Sequence, residues 1–65
     1  MITKLIKLQD VIALTGLSRS HLYALAQKGL FPKQVKLTAR SSAWVASEVQ
    51  EWIESRIQAR DEEVA

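Results

Sequence analysis

The residues best suited to chemistry in this 65-residue chain are basic side chains gathered near its middle. Between Ser18 and Arg40 there are five Lys or Arg residues and no acidic residue. Guanidinium and ammonium groups clustered in this way attract polyanions, and arginine can also pair with guanine through two hydrogen bonds. The segment therefore favours recognition of a polyanion, and a solvated basic surface without a partner is the alternative.

Residues that could serve catalysis or hold a metal are few. The chain has one histidine, no cysteine and no glycine-rich phosphate loop. Glu48, Glu51 and Glu54 recur at three-residue steps, but that spacing places them on the outer face of an amphipathic helix, where carboxylates are normally solvated. We therefore expect no enzymatic activity, no metal site, no cofactor and no small-molecule ligand.

Charge is divided unequally along the chain. Residues 1–47 contain seven Lys or Arg and one acid, a net charge of +6, whereas residues 48–65 contain two Arg and six acids, a net charge of −4. No apolar run approaches the roughly 20 residues of a membrane span, and no signal peptide is recognisable. We expect a cytoplasmic protein without membrane contact.

Two short helices precede and carry the basic segment. Apolar spacing predicts a first helix over 8–15, ended by Gly16, and a second over 19–28, ended by Gly29. Ser18 is positioned as the N-cap of the second helix. Two helices joined by so short a glycine-containing link are typical of a helix-turn-helix.

A β-hairpin and a third helix complete the predicted domain. Residues 35–38 alternate between apolar and polar, residues 43–45 form a second strand-like run, and 38–41 make a polar tip between them. Residues 4–6 could add a minor strand. Ser47 and Gln50 form the capping box of a last helix. Its predicted buried stripe consists of Val49, Trp52, Ile53 and Ile57.

Two further expectations concern the core and the chain end. Trp44 and Trp52 each lie in a periodic pattern of apolar residues, which favours a place in the core over stacking on bases. The domain is expected to span 1–60, with 61–65 as a flexible tail.

The second helix supplies most of the candidate contact residues. If Leu22, Leu25 and Ala26 face inward, the remaining faces present Arg19, Ser20, His21, Tyr23, Ala24, Gln27 and Lys28. Two alternatives stay open: His21 is a DNA contact or a surface residue, and Tyr23 reaches a phosphate or covers the helix edge. Basic side chains of the hairpin would meet the DNA backbone or the minor groove. These are Lys33, Lys36 and Arg40.

Several motifs together resemble a known family. The run from Leu14 to Ser20 reads L-T-G-L-S-R-S, followed by F-P-K at 31–33 and by the W…SEV…W spacing that begins at Trp44. Over about residues 4–57 the chain resembles the AlpA family of small prophage and mobile-element regulators. The family often has a basic residue after the tyrosine and a glycine near the wing tip, where this chain has Ala24 and Thr38-Ala39.

The resemblance implies a MerR-like winged helix-turn-helix that acts in transcriptional activation or, like an excisionase, in site-specific recombination. It also implies DNA contacts by Arg19, Ser20, Tyr23 and the wing. The sequence thus predicts a mainly helical fold, with three main helices and a small hairpin, that binds double-stranded DNA. Because one module reads few base pairs, we expect several copies or self-association on DNA. The alternative is a protein-interaction adaptor whose basic surface binds an acidic partner.

Overall fold

The computed structural model describes residues 3–64, which form three helices and three short strands. In chain order the elements are β1 (Leu5–Ile6), α1 (Leu8–Thr15), α2 (Arg19–Gln27), β2 (Val35–Thr38), β3 (Ser41–Val45) and α3 (Ala46–Val64). This confirms the predicted class, a mainly helical winged helix-turn-helix with a small hairpin. None of the helices in this range combines the length and the hydropathy that a membrane span requires.

Local signals position the two helices of the helix-turn-helix. Gly16 and Gly29 both adopt the left-handed conformation, with φ of 74° and 76°, which glycine reaches without the strain of a Cβ atom. The Ser18 hydroxyl oxygen accepts a hydrogen bond from the His21 N–H at 3.2 Å, which confirms the predicted N-cap of α2. The Thr15 hydroxyl donates to the Val11 carbonyl at 2.8 Å and accepts from the Leu17 N–H at 3.2 Å. The link between the helices is therefore fixed by its own side chains.

The strands form one antiparallel sheet in the order β1-β3-β2. The wing is the hairpin β2–β3, and its two-residue turn consists of Ala39 and Arg40. Among the described residues only glycines have positive φ, so this turn is not of the primed type that usually matches strand twist. A register shift at Leu37 accommodates it, and the Thr38 hydroxyl accepts from the Arg40 N–H at 3.2 Å.

The core lies between the helix-turn-helix, the sheet and the start of α3. Its buried members are Val11, Leu22, Ala26, Phe31, Trp44 and Val49. Trp44 is fully buried, and its indole N–H donates to the Pro32 carbonyl at 3.0 Å. Trp52 is half-buried, packs edge-on against Phe31 with ring centroids 4.8 Å apart, and donates to the Leu30 carbonyl at 2.8 Å. Both tryptophans thus belong to the core or to its boundary.

Helix α3 departs from the sequence prediction at its start and along its stripe. It begins at Ala46, directly after strand β3, so Ser47 lies inside the first turn and the predicted capping box is wrong. The Ala46 N–H donates instead to the Lys4 carbonyl of the chain segment that precedes β1, at 2.8 Å. The buried stripe ends at Ile53. Ile57 is 45% exposed because the rest of the molecule does not extend beneath it, which corrects its predicted burial.

The end of the chain was expected to be a tail from residue 61 onward. Helix α3 continues to Val64, so 61–64 have helical backbone, and residue 65 lies outside the described residues. The flexibility of this segment stays a prediction.

Candidate nucleic-acid interface

The outer face of α2 is exposed along its whole length. Leu22 and Ala26 are buried against the core, and this orientation turns the opposite side of the helix to solvent. All but one of the residues predicted on α2 and at its C-cap are exposed, namely Arg19, Ser20, His21, Ala24, Gln27 and Lys28. Because Ala24 carries only a methyl group, the middle of this face can approach another molecule closely.

Tyr23 differs from its neighbours because it is half-buried. Its ring lies 5.9 Å from the ring of the buried Trp44, at an interplanar angle of 54°. The Arg19 guanidinium carbon lies 5.9 Å from the centroid of the Tyr23 ring, within range of a cation–π interaction. The Tyr23 ring therefore lies between the exposed Arg19 guanidinium and the buried Trp44.

Two grooves beside α2 share Tyr23 in their lining. The first encloses about 330 Å³ and is lined by Tyr23, Ala26, Gln27, Lys33 and Gln34. The second encloses about 600 Å³ between the start of α1 and the wing, and is lined by Tyr23 together with Lys7, Leu8, Gln9, Ile12, Arg40, Ser41, Ser42 and Trp44. The fold thus brings α2 together with Lys33 in the first groove and with Arg40 in the second.

The grooves also contain polar residues that the sequence analysis did not single out. Gln34 faces the first groove, and its place within the acid-free basic segment was an available signal. Lys7, Gln9, Ser41 and Ser42 face the second groove. Their proximity depends on the packing of α1 beside the sheet, and no local sequence pattern reports it.

The wing carries the remaining predicted residues. Arg40 occupies the exposed turn, and Lys36 lies on β2 opposite Ser42 of β3. Lys36, like Lys28 at the end of α2, is exposed but lines neither groove. These two lysines lie at the margin of the surface formed by α2, the two grooves and the wing.

The basic side chains of this surface have no acidic partners. Among residues 3–64 the one ion pair joins Arg60 to Asp61 on α3, at 2.9 Å. The positive charges between residues 4 and 40 are consequently available to an external anion, because no internal ion pair has to break.

The acids of α3 do not form a cluster of metal ligands. Within the described part of the chain, no group of three or more His, Cys, Asp or Glu residues could hold a metal ion.

Comparison with known proteins covers nearly all of these elements. The model of a family described as "Prophage CP4-57 regulatory protein (AlpA)" matches residues 4–57. A protein of Enterobacteria phage P4, described as "Uncharacterized protein ORF88", is 44% identical over 57 residues. That alignment covers 88% of this chain and 65% of the phage protein, so the chain spans a little under two thirds of this relative's length.

Proposed function

The chain belongs to the AlpA family of prophage regulatory proteins, and on that premise we propose that it binds double-stranded DNA sequence-specifically as a regulator encoded by a prophage or mobile element. The observation that carries the proposal is the surface formed by α2, its two grooves and the wing. That surface holds basic side chains without ion-pair partners around an exposed, N-capped helix. Such a surface fits a helix in the major groove with basic side chains on the neighbouring phosphates.

Helix α2 acts as the recognition helix in this proposal. The N-terminal part of a recognition helix reaches base edges, and here that part carries Arg19, Ser20 and His21. Arginine can pair with guanine, and Gln27 can pair with adenine, while the Ala24 methyl group can lie against a thymine methyl group. These residues supply the sequence preference.

The wing and the groove rims hold the helix in register. Lys33 lines the first groove and Arg40 lines the second, so both can contact phosphates of the DNA that α2 binds. Tyr23 stands between them with its ring on the core. Such contacts fix the position of the protein without reading sequence.

Two regulatory outcomes use the same interface. A regulator of transcription holds polymerase or blocks it at a promoter, whereas an excisionase bends an attachment site so that recombination runs towards excision. The family description supports regulation. A bend in the bound duplex, measured by the mobility of permuted fragments, would add the excisionase role.

The test of the proposal is selection of a binding site from a random duplex library, followed by footprinting and titration. We expect a selected duplex to bind more tightly than a scrambled one, with each mismatched base pair costing about 1–3 kcal/mol. Selected and scrambled duplexes that bind equally would contradict sequence-specific recognition. An acidic protein that binds while DNA of any sequence does not would support the adaptor function instead.

A further inference from the structure

Two exposed apolar surfaces lie outside the proposed DNA interface, although the first of them shares Lys7 with it. The first is a shallow groove of about 400 Å³ between β1 and α1, named here the β1–α1 groove. Leu5 and Leu14 line it and are 43% and 55% exposed. Lys4, Lys7 and Asp10 also line it, so the groove is apolar with two basic residues and one acid at its edge, a net charge of +1.

The second surface is the distal half of α3, residues 54–64, which extends beyond the core. Ile57 is 45% exposed there, and Glu54 and Asp61 lie one turn before it and one turn after it on the same face. The segment contains four acids and two arginines, a net charge of −2. A helix of about three turns without packing is marginal in water, so a partner along this face would stabilise it.

The chemistry of the two surfaces is complementary. We propose that the distal half of α3 of one copy docks in the β1–α1 groove of a second copy, with Ile57 against Leu5 and Leu14. Glu54, which lies one turn before Ile57, then approaches Lys4 and Lys7, whereas Asp61 is already paired with Arg60. The whole molecule favours the same arrangement, because residues 1–47 carry seven basic residues and one acid whereas residues 48–65 carry two basic residues and six acids.

The contact joins two different surfaces, so it is heterologous and repeats from copy to copy in one direction. This inference rests on the proposed DNA binding, because neighbouring binding sites on the DNA align the copies. The molecule measures 45 × 31 × 20 Å. Sites one helical turn apart are separated by about 34–36 Å on the same face of DNA, so neighbouring copies come within reach of each other.

The orientation of the sites follows from the type of contact. Copies related head to tail bind direct repeats, whereas copies related by a two-fold axis bind inverted repeats. We therefore expect cooperative binding to two direct repeats of the selected site spaced about 10–10.5 bp centre to centre. An insertion of about half a helical turn moves the second copy to the other side of the duplex and should abolish cooperativity.

The experiment compares the wild-type chain with Leu14→Asp and Ile57→Asp on duplexes carrying one site, two direct repeats or two inverted repeats. We expect the second wild-type copy to bind in-phase direct repeats about tenfold more tightly than a single site, because the first copy raises its effective concentration. Each variant should lose that gain and keep its single-site affinity. Gln58→Asp adds the same charge beside Ile57 and should retain cooperativity.

Mixing the variants tests the pairing directly. Leu14→Asp keeps an intact α3, and Ile57→Asp keeps an intact groove, so an equimolar mixture regains one functional contact. The mixture should therefore restore cooperativity on two direct repeats, although neither variant shows it alone. Melting curves establish that both variants are folded, which the exposure of the two side chains favours.

The outcomes separate this inference from the function on which it rests. Wild-type protein that binds no single site contradicts the proposed function. Single-site binding without cooperativity on direct repeats overturns only the contact between copies. Cooperativity confined to inverted repeats would indicate a two-fold interface. Cooperativity that survives both variants would show that the β1–α1 groove and the distal half of α3 do not form the contact between copies. Either result overturns the proposal.

Discussion

Arg19 is exposed, lies in the first turn of α2 and has its guanidinium over the Tyr23 ring. It occupies the first turn of α2, where unsatisfied backbone N–H groups and the helix dipole favour a nearby phosphate. Its guanidinium lies over Tyr23, which limits the conformations that the long side chain explores. Less conformational freedom is then lost when Arg19 meets a base or a phosphate.

We predict that Arg19→Ala weakens binding to the selected duplex by about 1–3 kcal/mol and leaves the fold intact. Arg19→Lys distinguishes two roles, because lysine keeps the charge but cannot pair with guanine through a planar fork. A base contact would lose specificity with lysine, whereas a phosphate contact would lose little affinity. Titrations on selected and scrambled duplexes measure both quantities.

The matched control is Arg56→Ala, which removes an exposed arginine from α3 and should not change binding to a single site. Melting curves check that each variant is folded. A folded Arg19→Ala protein with parental affinity for the selected duplex would show that α2 does not dock as proposed.

Tyr23 is predicted to act mainly through its ring. Tyr23→Phe keeps the platform under Arg19 and should retain most of the affinity, whereas Tyr23→Leu removes the platform and should weaken binding. A cation–π interaction at an exposed site is worth about 0.5–1 kcal/mol, which sets the coupling expected between Tyr23→Leu and Arg19→Ala in a double-mutant cycle. A large loss in Tyr23→Phe would instead assign the hydroxyl to a phosphate.

At the scale of the elements, prediction from sequence succeeded where the determinants are local. Gly16, Gly29 and Ser18 each act within a few residues, so the bounds of α1 and α2 follow from them. The start of α3 did not follow, because Val45 ends strand β3 and the helix begins with the next residue. Periodicity marked Ile57 as buried, but only the tertiary structure defines where the core ends.

The candidate site shows the same division. The exposed face of α2 follows from helical periodicity once Leu22 and Ala26 face the core. Which exposed residues share a groove depends on how β1, the wing and α1 pack together, and the sequence alone did not predict it. Lys36 and Lys28 were therefore included with Lys33 and Arg40, although they line neither groove.

Trp44 joins the wing to the helices, and we predict that Trp44→Ala unfolds the domain. Removing a buried large aromatic side chain costs about 3–5 kcal/mol. At about 0.05–0.15 kcal/mol per residue, a domain of this size has about 3–10 kcal/mol of stability, so this cost removes a large part or all of it. Trp52→Ala should cost less, because Trp52 is only half-buried.

Thermal and urea unfolding measure these differences. Trp44→Phe serves as the control, since it keeps an aromatic ring in the core and loses the indole hydrogen bond to the Pro32 carbonyl. If Trp44→Ala or Trp52→Ala melts like the parent but loses DNA binding, that tryptophan contacts DNA and does not contribute to the stability of the fold.

The wing is predicted to contribute affinity more than sequence preference. Arg40 lies in the exposed turn, at the rim of the second groove, where its guanidinium can contact a phosphate. Arg40→Ala should weaken binding to selected and scrambled duplexes by a similar factor. A loss confined to the selected duplex would point to minor-groove readout by the wing.

At the scale of the whole molecule, separated charges predict a strong dependence of DNA binding on salt. If about four phosphates are neutralised, the logarithm of the binding constant should fall with the logarithm of salt concentration at a slope of about −3.6. Titrations on a single-site duplex at several salt concentrations measure this slope. Arg40→Ala should make it less steep by about one phosphate contact, roughly 0.9.

Acidic residues of α3 provide a control for this salt dependence within the same chain. Replacing Glu62 and Glu63 by glutamine should leave the slope unchanged, because these residues lie beyond the proposed interface on the distal half of α3. A slope near zero for the wild-type chain would contradict a phosphate-binding surface.

Strand β1 is short, and its pairing has a consequence for the order of folding. Leu5 pairs with Val45, and the Lys4 carbonyl accepts from the Ala46 N–H. Forming these contacts closes a loop of about 40 residues, whereas the helix-turn-helix and the wing are built from local contacts. We expect β1 to dock last during folding and to open first under native conditions, so the Ala46 amide should exchange its hydrogen with solvent sooner than the amides inside α2.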